Sequence, residues 1–112
     1  MTATNRMWTG SKCIAYVDGD ALAPNYRRSR GFSGPIVRNG AGDLTLTLTD
    51  PIDALNGDLG IFTGINHNDY GTLSVEVVDA THLRVRTFGL FDSSPIAADL
   101  DFWILLGEIG PN

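Results

Sequence analysis

Asp43-Leu44-Thr45-Leu46-Thr47-Leu48-Thr49, closed by Asp50-Pro51, is the stretch that decides the fold. Leucine and threonine alternate with a period of two. In an extended strand this sends every leucine to one face and every threonine to the other. Threonine suits a pleated, half-exposed surface, and the proline that follows has no N–H to carry the ladder onward. Just upstream, Asn39-Gly40 tolerates positive φ and predicts a tight hairpin joining this strand, residues 43–49, to one before it, residues 32–38.

The same reading extends in both directions. Residues 12–17 form an apolar strand ended by the turn Asp18-Gly19-Asp20, and residues 25–30 form a second strand. Further strands are expected at 58–65, 72–78, 82–88 and 100–106, with polar loops at 66–71 and 89–99. Leu73, Val75 and Val77 alternate inward, as do Leu83 and Val85, while Arg84 and Arg86 alternate outward. No window sustains a 3.6-residue apolar period; at most a short helix or 3₁₀ turn is allowed at 50–55, where Asp50-Pro51 resembles a cap and first-turn pair. The expectation is an all-β antiparallel sandwich, jelly-roll-like, of about eight short strands. Residues 1–11 read as an arm, and 12–112 as one sandwich domain.

The last strand carries an inference about assembly. Leu100, Phe102, Ile104 and Leu106 make one face, and Trp103 with Leu105 makes the other. Two apolar faces require burial on both sides. One side is the core; the other is covered by a loop or by a neighbouring copy.

Composition excludes several function classes. The chain has 112 residues, enough for one core and too few for two domains. Thirteen glycines fit many tight turns, and a single lysine, Lys12, stands against seven arginines. The net charge of −5 argues against nucleic acid as a partner, since that binding neutralises phosphates. Cys13 is the only cysteine, so no intrachain disulfide exists, and it reads as a small buried hydrophobe. No apolar run approaches a membrane span, and residues 1–10 lack the pattern of a signal peptide, so synthesis in a cytoplasm without membrane association is expected.

The candidate sites are sparse. Asp18-Gly19-Asp20 contains two ligands of a calcium loop without the rest, and a plain turn is the preferred reading. Arg27, Arg28 and Arg30 form the one basic cluster; Arg28 and Arg30 point the same way and are expected to meet carboxylates such as Asp99 or Asp101 of another copy. His67 lies in a polar loop beside Asp69, but no nucleophile elbow accompanies it. Asp99 and Asp101 resemble a glycosidase pair only in spacing, and so small a sandwich has little room for a cleft. No catalytic residue, metal ligand or cofactor is expected. Met7 and Trp8 are the apolar side chains of the arm and the expected attachment points to a larger particle.

Taken in order, Lys12-Cys13-Ile14-Ala15-Tyr16-Val17, Tyr26-Arg27-Arg28-Ser29-Arg30-Gly31-Phe32-Ser33, Val37-Arg38-Asn39-Gly40-Ala41-Gly42-Asp43-Leu44-Thr45-Leu46-Thr47-Leu48, Val85-Arg86-Thr87-Phe88 and Asp99-Leu100-Asp101-Phe102-Trp103-Ile104 resemble a domain common in fibre, adhesin and head-surface proteins of tailed bacteriophages. The resemblance spans residues 12–107. It implies a β-sandwich forming homotrimers on the virion. No fibrous shaft precedes the domain, and Asp18-Gly19-Asp20 stands where a Phe- or Asn-containing turn is usual. The missing shaft favours a compact piece bound directly to the particle. The expected function is thus a trimeric capsid decoration protein that binds the major capsid protein or another virion protein and braces the head. The alternative is a fibre or baseplate tip that binds host-surface glycan. Trp103, Leu105, Arg28 and Arg30 are the expected oligomer contacts.

Overall fold

A computed structural model describes residues 7–20, 23–52, 59–66, 71–91 and 94–110, with backbone alone for 7–12, 59, 91, 94 and 108–110. The described residues contain nine strands and no helix. They are β1 (Met7–Asp18), β2 (Asn25–Arg30), β3 (Phe32–Gly40), β4 (Asp43–Leu48), β5 (Leu59–Ile65), β6 (Gly71–Asp79), β7 (His82–Phe91), β8 (Ser94–Ala97) and β9 (Phe102–Gly110). Two antiparallel sheets pack as a sandwich. One has the order β2-β1-β9-β5; the other has the order β3-β4-β7-β6, with β8 also paired to β7. The path runs through hairpins β1–β2, β3–β4, β6–β7 and β7–β8, whereas a jelly roll changes sheets at almost every step.

The core follows from alternation. Cys13, Ala15 and Val17 of β1 and Phe102, Ile104 and Leu106 of β9 face Leu44, Leu46 and Leu48 of β4 and Leu83 and Val85 of β7. All are buried, and burial of this many branched side chains is the principal stabilising term. Tyr26 of β2 packs on Phe32 with ring centroids 5.4 Å apart. Burial pushes its phenol pKa up to about 12. The β3-β4-β7-β6 sheet carries ion pairs on its outer face and also exposes Val37, Val78 and Leu90. Arg84 bonds Asp43 at 2.8 Å and 2.5 Å, and Arg86 meets Glu76 at 3.3 Å.

Four expectations change. First, β1 begins at Met7, so residues 7–11 of the expected arm belong to the sheet: Met7 pairs with Gly110, Trp8 with Ile109 and Ser11 with Gly107. Main-chain pairing needs no apolar alternation, so this irregular end of β1 left no pattern in its side chains. Residues 1–6 lie outside the described residues. Second, the hairpin turn is Ala41-Gly42, with Gly40 paired to Asp43. Gly42 has φ +64°, and its N–H and C=O bond Asp99 and Thr87 at 2.7 Å each. Tertiary contacts therefore choose between two turn-competent glycines. Third, the expected loop 89–99 holds β8, where Pro95 is tolerated because β8 pairs on one side only. Fourth, β9 starts at Phe102 and continues to Gly110. Of the expected helical turn, residues 50–52 are not helical and 53–55 lie outside the described residues.

Candidate functional site

The outer face of the β2-β1-β9-β5 sheet gathers side chains far apart in sequence. Inward burial of Cys13, Ala15 and Val17 forces Ile14 and Tyr16 outward on β1; burial of Phe102, Ile104 and Leu106 forces Trp103 and Leu105 outward on β9. Register sets the rows. Arg30, Ile14, Leu105 and Phe62 lie side by side across the four strands, and Arg28, Tyr16, Trp103 and Gly64 form the next row. Ile14, Phe62 and Trp103 are 42%, 54% and 41% exposed. Large apolar groups gathered this densely on one face mark a contact surface.

Gly64 explains how Trp103 sits. A Cβ at Gly64 would lie 2.4–2.6 Å from the indole Nε1, Cε2 and Cζ2 atoms. The indole therefore covers the bare backbone of its cross-strand partner, an aromatic–glycine pairing that supplies the missing side-chain packing. A shallow cleft of about 580 Å³ runs beside it, lined by Tyr16, Arg27, Arg28, Ile65, Asn66 and Trp103. Asn66 donates its side-chain amide to the Tyr16 hydroxyl, and the Arg27 guanidinium lies 5.3 Å from the Tyr16 ring centroid. A second cleft of about 520 Å³ lies between Ile14, Arg28, Arg30 and Trp103.

Charge is unevenly placed around this apolar band. Arg27 pairs with Asp18 at 3.5 Å, Arg38 with Asp99 at 2.8 Å, Arg84 with Asp43 and Arg86 with Glu76. Among the described residues, Arg28 and Arg30 alone of the arginines have no carboxylate partner. At the end of the face, Asp18, Asp20 and Asp101 bring carboxylate oxygens within 4.8 Å of one another. Gly19 makes that approach possible, because a Cβ there would fall 2.2 Å from the Leu100 carbonyl oxygen. Asp101 also accepts the Asp20 N–H at 3.2 Å.

The expected contact residues Trp103, Leu105, Arg28 and Arg30 thus share one face. Asp99 is withdrawn from the role expected for it: the Arg38 guanidinium first, and the Gly42 N–H beside it, hold its carboxyl below the usual carboxylate range. It serves the β3–β4 turn rather than a neighbouring copy. Asp101 remains at the face. His67 and Asp69 lie outside the described residues, and so do the side chains of Met7 and Trp8. Ile14, Tyr16, Phe62 and Gly64 went unnoticed in the sequence, though the first two were legible: an inward Cys13-x-Ala15-x-Val17 obliges Ile14 and Tyr16 to face out. Comparison with family models, with curated proteins and with solved structures found no match for this chain.

Proposed function

We propose that this protein is a non-catalytic assembly module of a virion surface, a trimeric decoration protein of a tailed-phage head. The observation that carries the assembly part is the clustering of Ile14, Phe62 and Trp103 with Arg28 and Arg30 on one outer face of the sandwich. One sheet carries the Arg84–Asp43 and Arg86–Glu76 ion pairs and exposes Val37, Val78 and Leu90 on three different strands. The other exposes Ile14, Phe62 and Trp103 in adjacent rows. Exposed aromatic side chains gathered beside arginines without carboxylate partners among the described residues suit a face used against protein. The virion part rests on the resemblance of residues 12–107 to phage surface domains.

Two measurements test the reading. Native mass spectrometry at micromolar concentration should return three chains; a monomer overturns self-assembly. Trp103→Asp should separate the subunits, since it places an unpaired charge in the contact. Phe62→Ser serves as a second probe on the opposite edge strand. For the location, gold-labelled antibody against the chain should decorate heads of the particles that carry it. Label on the tail tip instead supports the glycan-contacting alternative, and unlabelled particles overturn a virion role.

A further inference from the structure

The assembly face is polar in its charge as well as apolar in its middle, and that polarity specifies how copies meet. Four of the six described arginines are held by a carboxylate of their own chain, and the two that are not, Arg28 and Arg30, both stand on this face on the edge strand β2. At the end of the same face, Asp18, Asp20 and Asp101 share one cation, Arg27, leaving an excess of negative charge. Ile14 is paired with Arg30 and Tyr16 with Arg28, so Asp18 lies four and two residues further along β1. Along a strand those are separations of roughly 13 and 7 Å. Tyr16 and Trp103, in the row of Arg28, lie between the Arg30 row and the carboxylates, and Ile14 and Leu105 lie beside Arg30. Within one chain neither arginine is paired with these carboxylates.

We propose that the occupant of this face is a second copy of the chain, docked pole to pole: Arg28 and Arg30 of one copy meet the Asp18–Asp20–Asp101 carboxylates of the next, over the apolar band. This rests on the assembly reading above and adds its register. A guanidinium fork on a carboxylate pair is directional, so it fixes orientation where a flat apolar band alone leaves copies free to slide. In a ring of three the contact is heterologous, so the arginine edge of each copy meets the carboxylate end of the next. It also gives an acidic chain a reason to keep two unpaired arginines on an exposed strand. Because copies repel through their net charge, association is selective for the one approach that brings opposite poles together.

Three variants and a salt series test this. Arg28→Glu with Arg30→Glu, and separately Asp20→Lys with Asp101→Lys, should each weaken self-association at least about tenfold, read by analytical ultracentrifugation. Both pairs of changes combined in one chain should restore it, because the poles are then exchanged rather than removed. Wild-type association should also weaken as salt rises from about 0.05 to 0.5 M, as ion pairs at a solvated rim require. Circular dichroism checks that each variant keeps its strands. If wild type assembles but the arginine variant assembles equally well, the poles do not touch, and this inference falls while the assembly reading stands. If wild type is monomeric, the assembly reading fails and takes this inference with it. A monomer that binds a sialylated or sulfated saccharide through Arg28 and Arg30 likewise overturns both, with an anionic sugar in place of the second copy.

Discussion

At the residue scale, Gly42 and Gly64 hold positions that a side chain fills only at a cost. Gly42 combines φ +64° with a site where a Cβ would fall 2.4 Å from the Thr87 carbonyl oxygen and 2.7 Å from that of Ala98. Gly42→Ala should therefore destabilise by roughly 1–3 kcal/mol from backbone strain alone, with the clash adding to it. Gly40→Ala, with nothing within 4 Å of its Cβ position, is the control and should be near neutral. Urea midpoints for the two decide which glycine makes the turn. Gly64 acts differently: its backbone is ordinary, but the Trp103 indole rests on it. Gly64→Ala should push the indole into solvent and shift its fluorescence to the red, read in a Trp8→Phe background so that Trp103 reports alone. An unshifted spectrum would show that the indole does not lie on Gly64.

At the scale of elements, β4 and β7 are tied by the bond between Asp43 and Arg84. The Arg84 side chain holds the Asp43 pKa down to about 2, from an ordinary 3.8. Asp43 therefore contributes stability that is fully present above about pH 4 and is lost as the pH falls through about 2. Asp99, lowered chiefly by Arg38, and Asp79, lowered chiefly by the Thr81 N–H, add to the same acid limb. Asp43→Asn should lower stability at pH 7 by about 1 kcal/mol or less, because the pair is part-exposed and screened. The gap from wild type should close as the pH approaches 2, and a gap that persists there would assign the effect to packing instead. Alternation in β4 was legible down to single side chains, since each leucine it placed inward is buried. The β3–β4 turn was not, because Asn39-Gly40 and Ala41-Gly42 are both competent locally and only Asp99 and Thr87, far along the chain, favour the second.

At the scale of the whole molecule, β1 and β9 form the spine to which β2 and β5 attach, and its far end includes residues expected to be an arm. A chain beginning at Met7 keeps every β1–β9 pair, whereas one beginning at Ser11 loses Met7↔Gly110 and Trp8↔Ile109. The longer truncation should melt earlier, by about 4–8 °C for each 1 kcal/mol lost; the shorter should not. Equal melting of all three chains would show that the end of the spine adds nothing to stability. This comparison also separates folding from attachment, because particle binding lost on removing residues 1–6 alone cannot be blamed on a damaged sheet.

The sequence by itself determined that the chain is an all-β sandwich, which strands bury which faces, and that Trp103 and Leu105 stand outside the core. Each of these follows from a period of two, and a one-residue slip would expose the whole core. It did not determine which strands are neighbours. Only the tertiary structure set β1 between β2 and β9, and so brought Arg28, Arg30, Ile14 and Trp103 together on one face. It also drew Asp101 to the Asp18-Gly19-Asp20 turn across 81 residues of chain. The physical reason is that periodicity tells each strand which side faces inward, whereas the order of strands in a sheet is decided by long-range pairing, to which no local pattern is sensitive.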